Sequence, residues 1–448
     1  MGKTIKLSKG LDIKLKGRAN LELAEAQKPQ YVALHPSDFP GIKPKVTVKP
    51  EQKVKAGETL FFDKNNPDVK FTSPVSGTVV KVERGERRKV LKVIVKPDET
   101  NEFIDFGAEK PQDSTRESVT KKMLEAGVWP FIRQRPYAIV ANPADKPKAI
   151  FISGFDNAPL APDYDFILKD SINDFQAGID AISKLTDGKI HLNISDKQGK
   201  VYSGVKGVEI NTFIGKHPAS TIGTQINHID PLNKGEIIWY INPQDIVIIG
   251  RLFNSGKFDA RRIVALAGSE VNEPKYYNTI LGAQTNSIVG ESVPNLNARF
   301  ISGNVLTGTK TTYNGFLSFY DSLLSVIPEG DYYEFMGWAM PRLHKFSHSR
   351  TYFSWLMPNK EYVLDTNMNG GPRAFVMSEE YDKVVPMDIL PEELLRACLA
   401  EDIDKMEQLG IYEVAEEDLA LCEFVCTSKT EVQEIIRNGI NLMIKELG

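Results

Sequence analysis

Through the first hundred positions apolar and polar residues alternate in short runs, the period of half-buried strands. Ile5 and Leu7, then Ile13 and Leu15, interleave with lysines and read as charge-guarded edge strands leading into the domain that follows. From Tyr31 to Val82 the runs come in pairs. Residues 54–62 read as strand, glycine turn, strand. Residues 71–82 repeat the arrangement, with Pro74 opening a turn and Gly77 offering a backbone free to take positive φ. Two such halves predict a small barrel of the biotinyl/lipoyl carrier type. Ahead of them, Pro36, Pro40 and Pro44 lock a loop that carries His35, Asp38 and Phe39. That loop reads either as a rigid ligand or partner surface, or as a stiff connection.

Beyond residue 105 the period lengthens. Ser114 as N-cap, with Glu117 three residues on, predicts a helix ending at Gly127. Strands over 137–140 and 149–153, a helix over 166–185 and a strand over 189–194 follow. Strands alternating with helices predict a parallel sheet covered on both faces, a type of sheet that binds nucleotides at its strand carboxyl ends. From 259 to 328 β-branched and turn residues predict a compact β domain with one helix. Residues 332–355 hold eight aromatics among Arg342, His344, Lys345, His348 and Arg350, which suits either a docking surface or a buried hairpin with a charged exterior. The C-terminus reads as helical. Pro391 opens one helix with Leu394, Leu395, Cys398 and Leu399 on its apolar face; Ser428 and Glu431 cap another with Val432, Ile436, Ile440 and Met443 on one stripe.

The composition is that of a folded protein, with 448 residues, 41% hydrophobic and 25% charged. A net charge of −4 gives no global basic field, so nucleic acid is not an expected partner. Three late cysteines point to a reducing, cytoplasmic setting, and no run reaches the roughly 18 apolar residues of a membrane helix.

Catalytic motifs are scarce. No G-x-G-x-x-G stands between a strand and a helix; the place where one is expected holds Gly127, Val128, Trp129, Pro130, Phe131, Ile132 and Arg133, with rings where glycines would leave room. Later glycines (Gly204, Gly207, Gly215, Gly223) lie in loops and short strands by this reading. Cys422 and Cys426, four apart, make at most part of a metal site and read as packed core residues, with Cys398 only a third thiol. His344 and His348 share helical spacing without the glutamate of a zinc motif. A carrier lysine is missing from its usual setting, although Lys64 and Lys70 flank the hairpin tip.

The runs 35–44 and 69–79, together with Phe424, Val425 and Cys426, resemble NqrA, the family of A subunits of the sodium-translocating NADH:quinone reductases, and the likeness runs nearly end to end. The family is similar in architecture to RnfC and to the flavin-bearing subunit of respiratory complex I. The resemblance implies an α/β multidomain fold: a barrel-sandwich hybrid (1–105), a Rossmann-like α/β domain without the glycine-rich flavin/NADH loop (106–257), a β-grasp soluble-ligand-binding domain (258–330), an aromatic-rich connector (331–384) and a helical domain (385–448). It also implies a peripheral subunit on the cytoplasmic side of the bacterial inner membrane, working with membrane and flavin-bearing subunits. FMN, FAD, riboflavin and iron-sulfur groups then belong to those partners, and Cys422 and Cys426 are what remains of a cluster's ligands. For quinone, the ligand the resemblance implies, His35, Phe39, Trp129, Phe131 and Arg133 are the expected contacts. Two other readings stay open: an adaptor that docks on the membrane subunits and touches no quinone, and a biotin or lipoate carrier modified at Lys64 or Lys70.

Overall fold

In the computed structural model, which describes residues 2–447, four sheets and a helical C-terminus pack around one large core and three smaller apolar clusters. Strands β1 (Thr4–Lys6) and β2 (Asn20–Glu25) come first. They do not lead into the barrel as the alternation suggested. β1 pairs in parallel with a strand of the α/β sheet and β2 with a strand of the six-stranded sheet, each more than two hundred residues away. An edge pattern reports exposure on one side and says nothing about which sheet supplies the partner.

The barrel comprises β3 (Val32–Leu34), β4 (Pro44–Val46), β5 (Lys53–Val54), β6 (Thr59–Asp63), β7 (Lys70–Thr72), β8 (Gly77–Arg84) and β9 (Val90–Pro97). They form a four-stranded and a three-stranded sheet. Phe61 and Phe71 stack across β6 and β7 with ring centroids 4.7 Å apart, and Phe39 from the proline-locked loop tilts against Phe71 at 4.3 Å. Gly77 does not adopt positive φ. It is required because a Cβ there would stand 2.0 Å from the carbonyl oxygen of Lys96. Lys64 is exposed at the hairpin tip, its backbone N–H donating to the carbonyl of Lys43, while Lys70 lies within β7.

The α/β domain runs α1 (Arg116–Ala126), β10 (Arg133–Arg135), β11 (Ile139–Val140), β12 (Ala149–Ser153), α2 (Tyr164–Leu168), α3 (Ile172–Ile182), β13 (Lys189–Ser195), β14 (Glu209–Ile214), α4 (Ile222–Ile229), β15 (Ile238–Tyr240) and α5 (Pro243–Ser255). The cap of α1 is Thr115, whose hydroxyl accepts from the N–H of Ser118, rather than Ser114. The expected single helix over 166–185 is two, broken near Asp170 and Ser171, and Gly223 lies inside α4 rather than in a loop. The sheet order is β1-β14-β13-β12-β15-β10-β11, parallel except for β10 and β11. Ile150, Ile152 and Trp239 face α3 and α5; Phe151, Ile238 and Tyr240 face α4. Both faces are therefore covered, which is why these strands read as unbroken apolar runs.

The six-stranded sheet adds β16 (Arg261–Ala267), β17 (Lys275–Ile280), the short α6 (Asn286–Val289), β18 (Ala298–Ser302), β19 (Thr309–Thr311) and β20 (Leu323–Pro328). Among the described residues, 331–384 form no strand ladder, so the hairpin reading for 332–355 falls. Tyr333 and Phe335 stand almost fully in solvent, at 103% and 91% of their reference area. His344 and His348 are not on a helix, and His348 faces Glu380. Helices α7 (Pro391–Leu399), α8 (Ile403–Gln408), α9 (Ala420–Val425) and α10 (Val432–Leu447) close the chain. Leu394, Leu395 and Cys398 are buried as the pattern predicts, but Leu399 is exposed at the end of its helix.

Candidate functional site at the switch of the parallel sheet

From β12 the chain adds β13 and β14 on one side, then returns to lay β15 on the other. Strand order reverses between β12 and β15, and ligands of such sheets bind in the crevice outside the strand carboxyl ends at that point. The Trp129 turn lies elsewhere, between α1 and the antiparallel β10. It is not the strand-to-helix junction at which a glycine-rich loop would be found. The rings there still fill space: Trp129 is fully buried, meets Trp239 edge-on at 5.5 Å and donates its indole N–H to the carbonyl of Ala141.

Near the crevice, α4 begins with Ile222 and Gly223, and Asp418 from the C-terminal domain packs against Gly223. A Cβ on Gly223 would lie 2.3 Å from an Asp418 carboxylate oxygen, so only glycine permits the approach. Arg135 pairs with that carboxylate: one guanidinium nitrogen is 2.9 Å from Asp418, another 2.9 Å from Glu417, and neither the Arg135 nor the Asp418 side chain is exposed. Burial, with the charge of Glu417 beside it, raises the Asp418 carboxyl above its ordinary range, and Arg135 opposes that rise.

Beside this pair, at the carboxyl end of β15, a cavity of about 130 Å³ opens between the barrel loop, the α/β edge, the β-grasp sheet and the C-terminal domain. Asp38, Arg133, Tyr240, Tyr320, Glu416 and Glu417 are among its walls. The Arg133 guanidinium is held between two rings, 4.5 Å from the centroid of Tyr240 and 4.3 Å from that of Tyr320. One of its terminal nitrogens donates to Asn242 at 2.9 Å, while its Nε is buried without a partner. Tyr320 donates its hydroxyl proton to the carbonyl of Pro130. Glu416 is bound to Arg437 and Glu417 to Arg135, so both carboxylates are already neutralised.

Asp38 is the unusual wall residue. One carboxylate oxygen accepts the Phe319 N–H at 2.8 Å, yet burial, reinforced by the charge of nearby Asp321, pushes its carboxyl up to about 7. His35 lies 3.9 Å away, but burial, aided by Lys92, holds its imidazole down at about 4. Near neutral pH the two do not make an ion pair.

The five residues expected to meet a ligand are therefore only partly together. Phe39 and Phe131 meet through Phe319, at 4.8 and 4.7 Å, directly behind Tyr320. Arg133 is in the cavity wall, and His35 abuts Asp38 and Phe316. Trp129 faces the core instead. Tyr240, Tyr320, Glu416 and Glu417 carried no local signal, since each reaches the cavity from a distant part of the chain. Asp38 did carry one, as the carboxylate of the proline-locked loop. Cys398, Cys422 and Cys426 are all buried thiols, and among the described residues no three His, Cys, Asp or Glu side chains converge as metal ligands.

Comparison with known proteins gives three family-model matches: the NqrA N-terminal barrel-sandwich hybrid domain over 5–98, the NqrA second alpha/beta domain over 114–258, and the NQRA C-terminal domain over 263–313. The chain is 38% identical over 447 residues to the NqrA protein of the Na(+)-translocating NADH-quinone reductase of Rhodopirellula baltica, with 98% of each chain covered. The chain belongs to the NqrA family. Other NqrA relatives agree: the protein from Serratia proteamaculans is 37% identical, covering 99% of this chain and 100% of its own, as is that from Neisseria meningitidis serogroup B. The barrel and α/β domain matched as NqrA modules are the ones that carry Asp38 and Arg133 to the cavity.

Proposed function

We propose that this chain is the NqrA component of a sodium-translocating NADH:quinone reductase, peripheral on the cytoplasmic side, without a tightly bound redox group, and that its four-way cavity receives a quinone ring. The observation that carries the reading is the cavity: two tyrosines and the guanidinium stacked between their rings are among the walls of a space of about 130 Å³. That is close to the roughly 150 Å³ that admits a benzene ring in an apolar protein cavity. A quinone needs a flat slot and donors for its carbonyl oxygens, and the Arg133 guanidinium and the Tyr240 hydroxyl stand in the wall. In this reading electrons arrive from the flavin-bearing partners.

A quinone bearing a photoreactive group, added to the assembled reductase, is expected to label peptides from 35–44, 133–140 or 415–417. Labelling confined to other subunits would remove the quinone role, and stoichiometric flavin or iron in the purified chain would remove the cofactor-free one. An adaptor reading is favoured by one observation, the exposure of Tyr333, Phe335, Phe353 and Trp355 in the connector. Charging those positions is then expected to prevent assembly while leaving quinone labelling of the isolated chain intact.

A further inference from the structure

The cavity's donors can be counted. Tyr320 has committed its proton to Pro130, Glu416 and Glu417 only accept, and Arg133 and the Tyr240 hydroxyl are the remaining side-chain donors of the wall. The proline-locked loop adds Asp38 to the same wall, its side chain 13% exposed. Only one of its oxygens is used, by the Phe319 N–H, so the other is free to carry a proton to a ligand. We propose that Asp38 binds the ligand as the carboxylic acid, donating to a ring carbonyl, so that occupancy of the cavity is coupled to the uptake of one proton. This rests on the quinone reading above.

The surroundings favour the neutral acid. From its own loop Asp38 faces His35, neutral at physiological pH; from the β-grasp side it faces Asp321; and in the same cavity wall stand Arg133, already shared by two rings and Asn242, with Tyr240, Glu416 and Glu417. Tyr240 keeps its proton throughout this range, since burial raises it further, so it adds no pH dependence. Asp38 is then the wall group that changes protonation near neutrality. Nothing is oxidised or reduced in this step: one proton passes from solvent to a carboxylate, and one hydrogen bond forms to the bound carbonyl.

The test is calorimetric titration of the full-length chain with 2,3-dimethoxy-5-methyl-1,4-benzoquinone from pH 5.5 to 8.5, in buffers of differing ionisation enthalpy. Affinity is expected to fall about tenfold per pH unit above the Asp38 transition, with close to one proton taken up per ring bound on the alkaline side. Asp38→Asn, whose amide donates at any pH, is expected to bind without slope and without proton uptake. Arg133→Met separates the two ideas. Binding that is weakened by Arg133→Met but has no slope and no proton uptake in the parent would overturn the proton coupling alone. Absence of binding at every pH, or binding indifferent to Arg133→Met, would overturn the cavity as the ring site, and the coupling with it.

Discussion

Replacing Arg135 by Met removes the cation that faces a carboxylate with no access to water. Both side chains of the Arg135–Asp418 pair are fully buried and their charged atoms are 2.9 Å apart. Two unit charges at roughly 4 Å attract by about 4 kcal/mol at an effective dielectric near 20. Removing one partner of a buried pair costs about 3–5 kcal/mol, because the survivor stays desolvated. Asp418 already has one oxygen without a hydrogen-bond partner, so little else can take over. The loss also has a sign in pH. Without Arg135 the Asp418 carboxyl rises further above its unfolded value. An acid whose folded pKa is raised carries no penalty below the unfolded pKa and accumulates one as pH climbs towards the folded value. The variant is therefore expected to be near parental stability at pH 4–5 and weakest at pH 8. Urea unfolding at both pH values, with hydrogen exchange over α4 and 415–447, reads the effect where it arises. The double variant Arg135→Met/Asp418→Leu is expected to regain most of the loss, since a buried pair exchanged for apolar residues is often neutral. An Arg135→Met loss below 1 kcal/mol, or a double variant worse than the single, would refute the reasoning.

Gly223→Ala forces a methyl group into the Asp418 carboxylate and is expected to cost about 1–3 kcal/mol as overpacking; in an Asp418→Ala background, itself destabilised by the unpaired Arg135, the added cost of Gly223→Ala should largely vanish in a thermal melt. Asp38 takes its proton at about 7 against 3.8 in the unfolded chain, so the parent should lose stability as pH rises from 4 to 7, by at most roughly 4 kcal/mol; Asp38→Asn should flatten that slope in pH-dependent unfolding. Burial pushes the Cys398 thiol up to about 12 and raises Cys422 well above its ordinary value, so a thiol reagent at pH 8 should leave both unmodified in the folded chain and react with all three cysteines in urea.

What the sequence made legible was local. The barrel follows from two glycine turns a few residues from their strands, and the α/β domain from apolar runs whose flanking helices are within twenty residues. What it hid was long-range. β1 and β2 show the alternation of edge strands, but the sheets they join lie at residues 212–214 and 275–278. The Arg135–Asp418 pair spans 283 residues, and nothing near either one marks it as other than a surface charge. Asp170 and Ser171, which end α2, were absorbed into one helix because helical periodicity survives a short break. Trp129, Pro130 and Phe131 were rightly read as space-filling rings, but their turn belongs to an antiparallel edge, and only the strand order locates the switch point.

That strand order makes the cavity and the charge pair parts of one arrangement. β10 runs antiparallel beside β15, so its alternation places Arg133 opposite Tyr240 and Arg135 opposite Ile238, two arginines on the same face of one strand. Arg135 holds residues 417 and 418 against α4, and residues 415–417 are in turn the cavity's C-terminal wall. Arg437 on α10 binds Glu416 and the carbonyl of Tyr137, tying the same wall to the turn after β10. The contact with α4 and the C-terminal wall of the cavity thus have a common cause: the C-terminal domain seated on Gly223 through Asp418 and held there by Arg135.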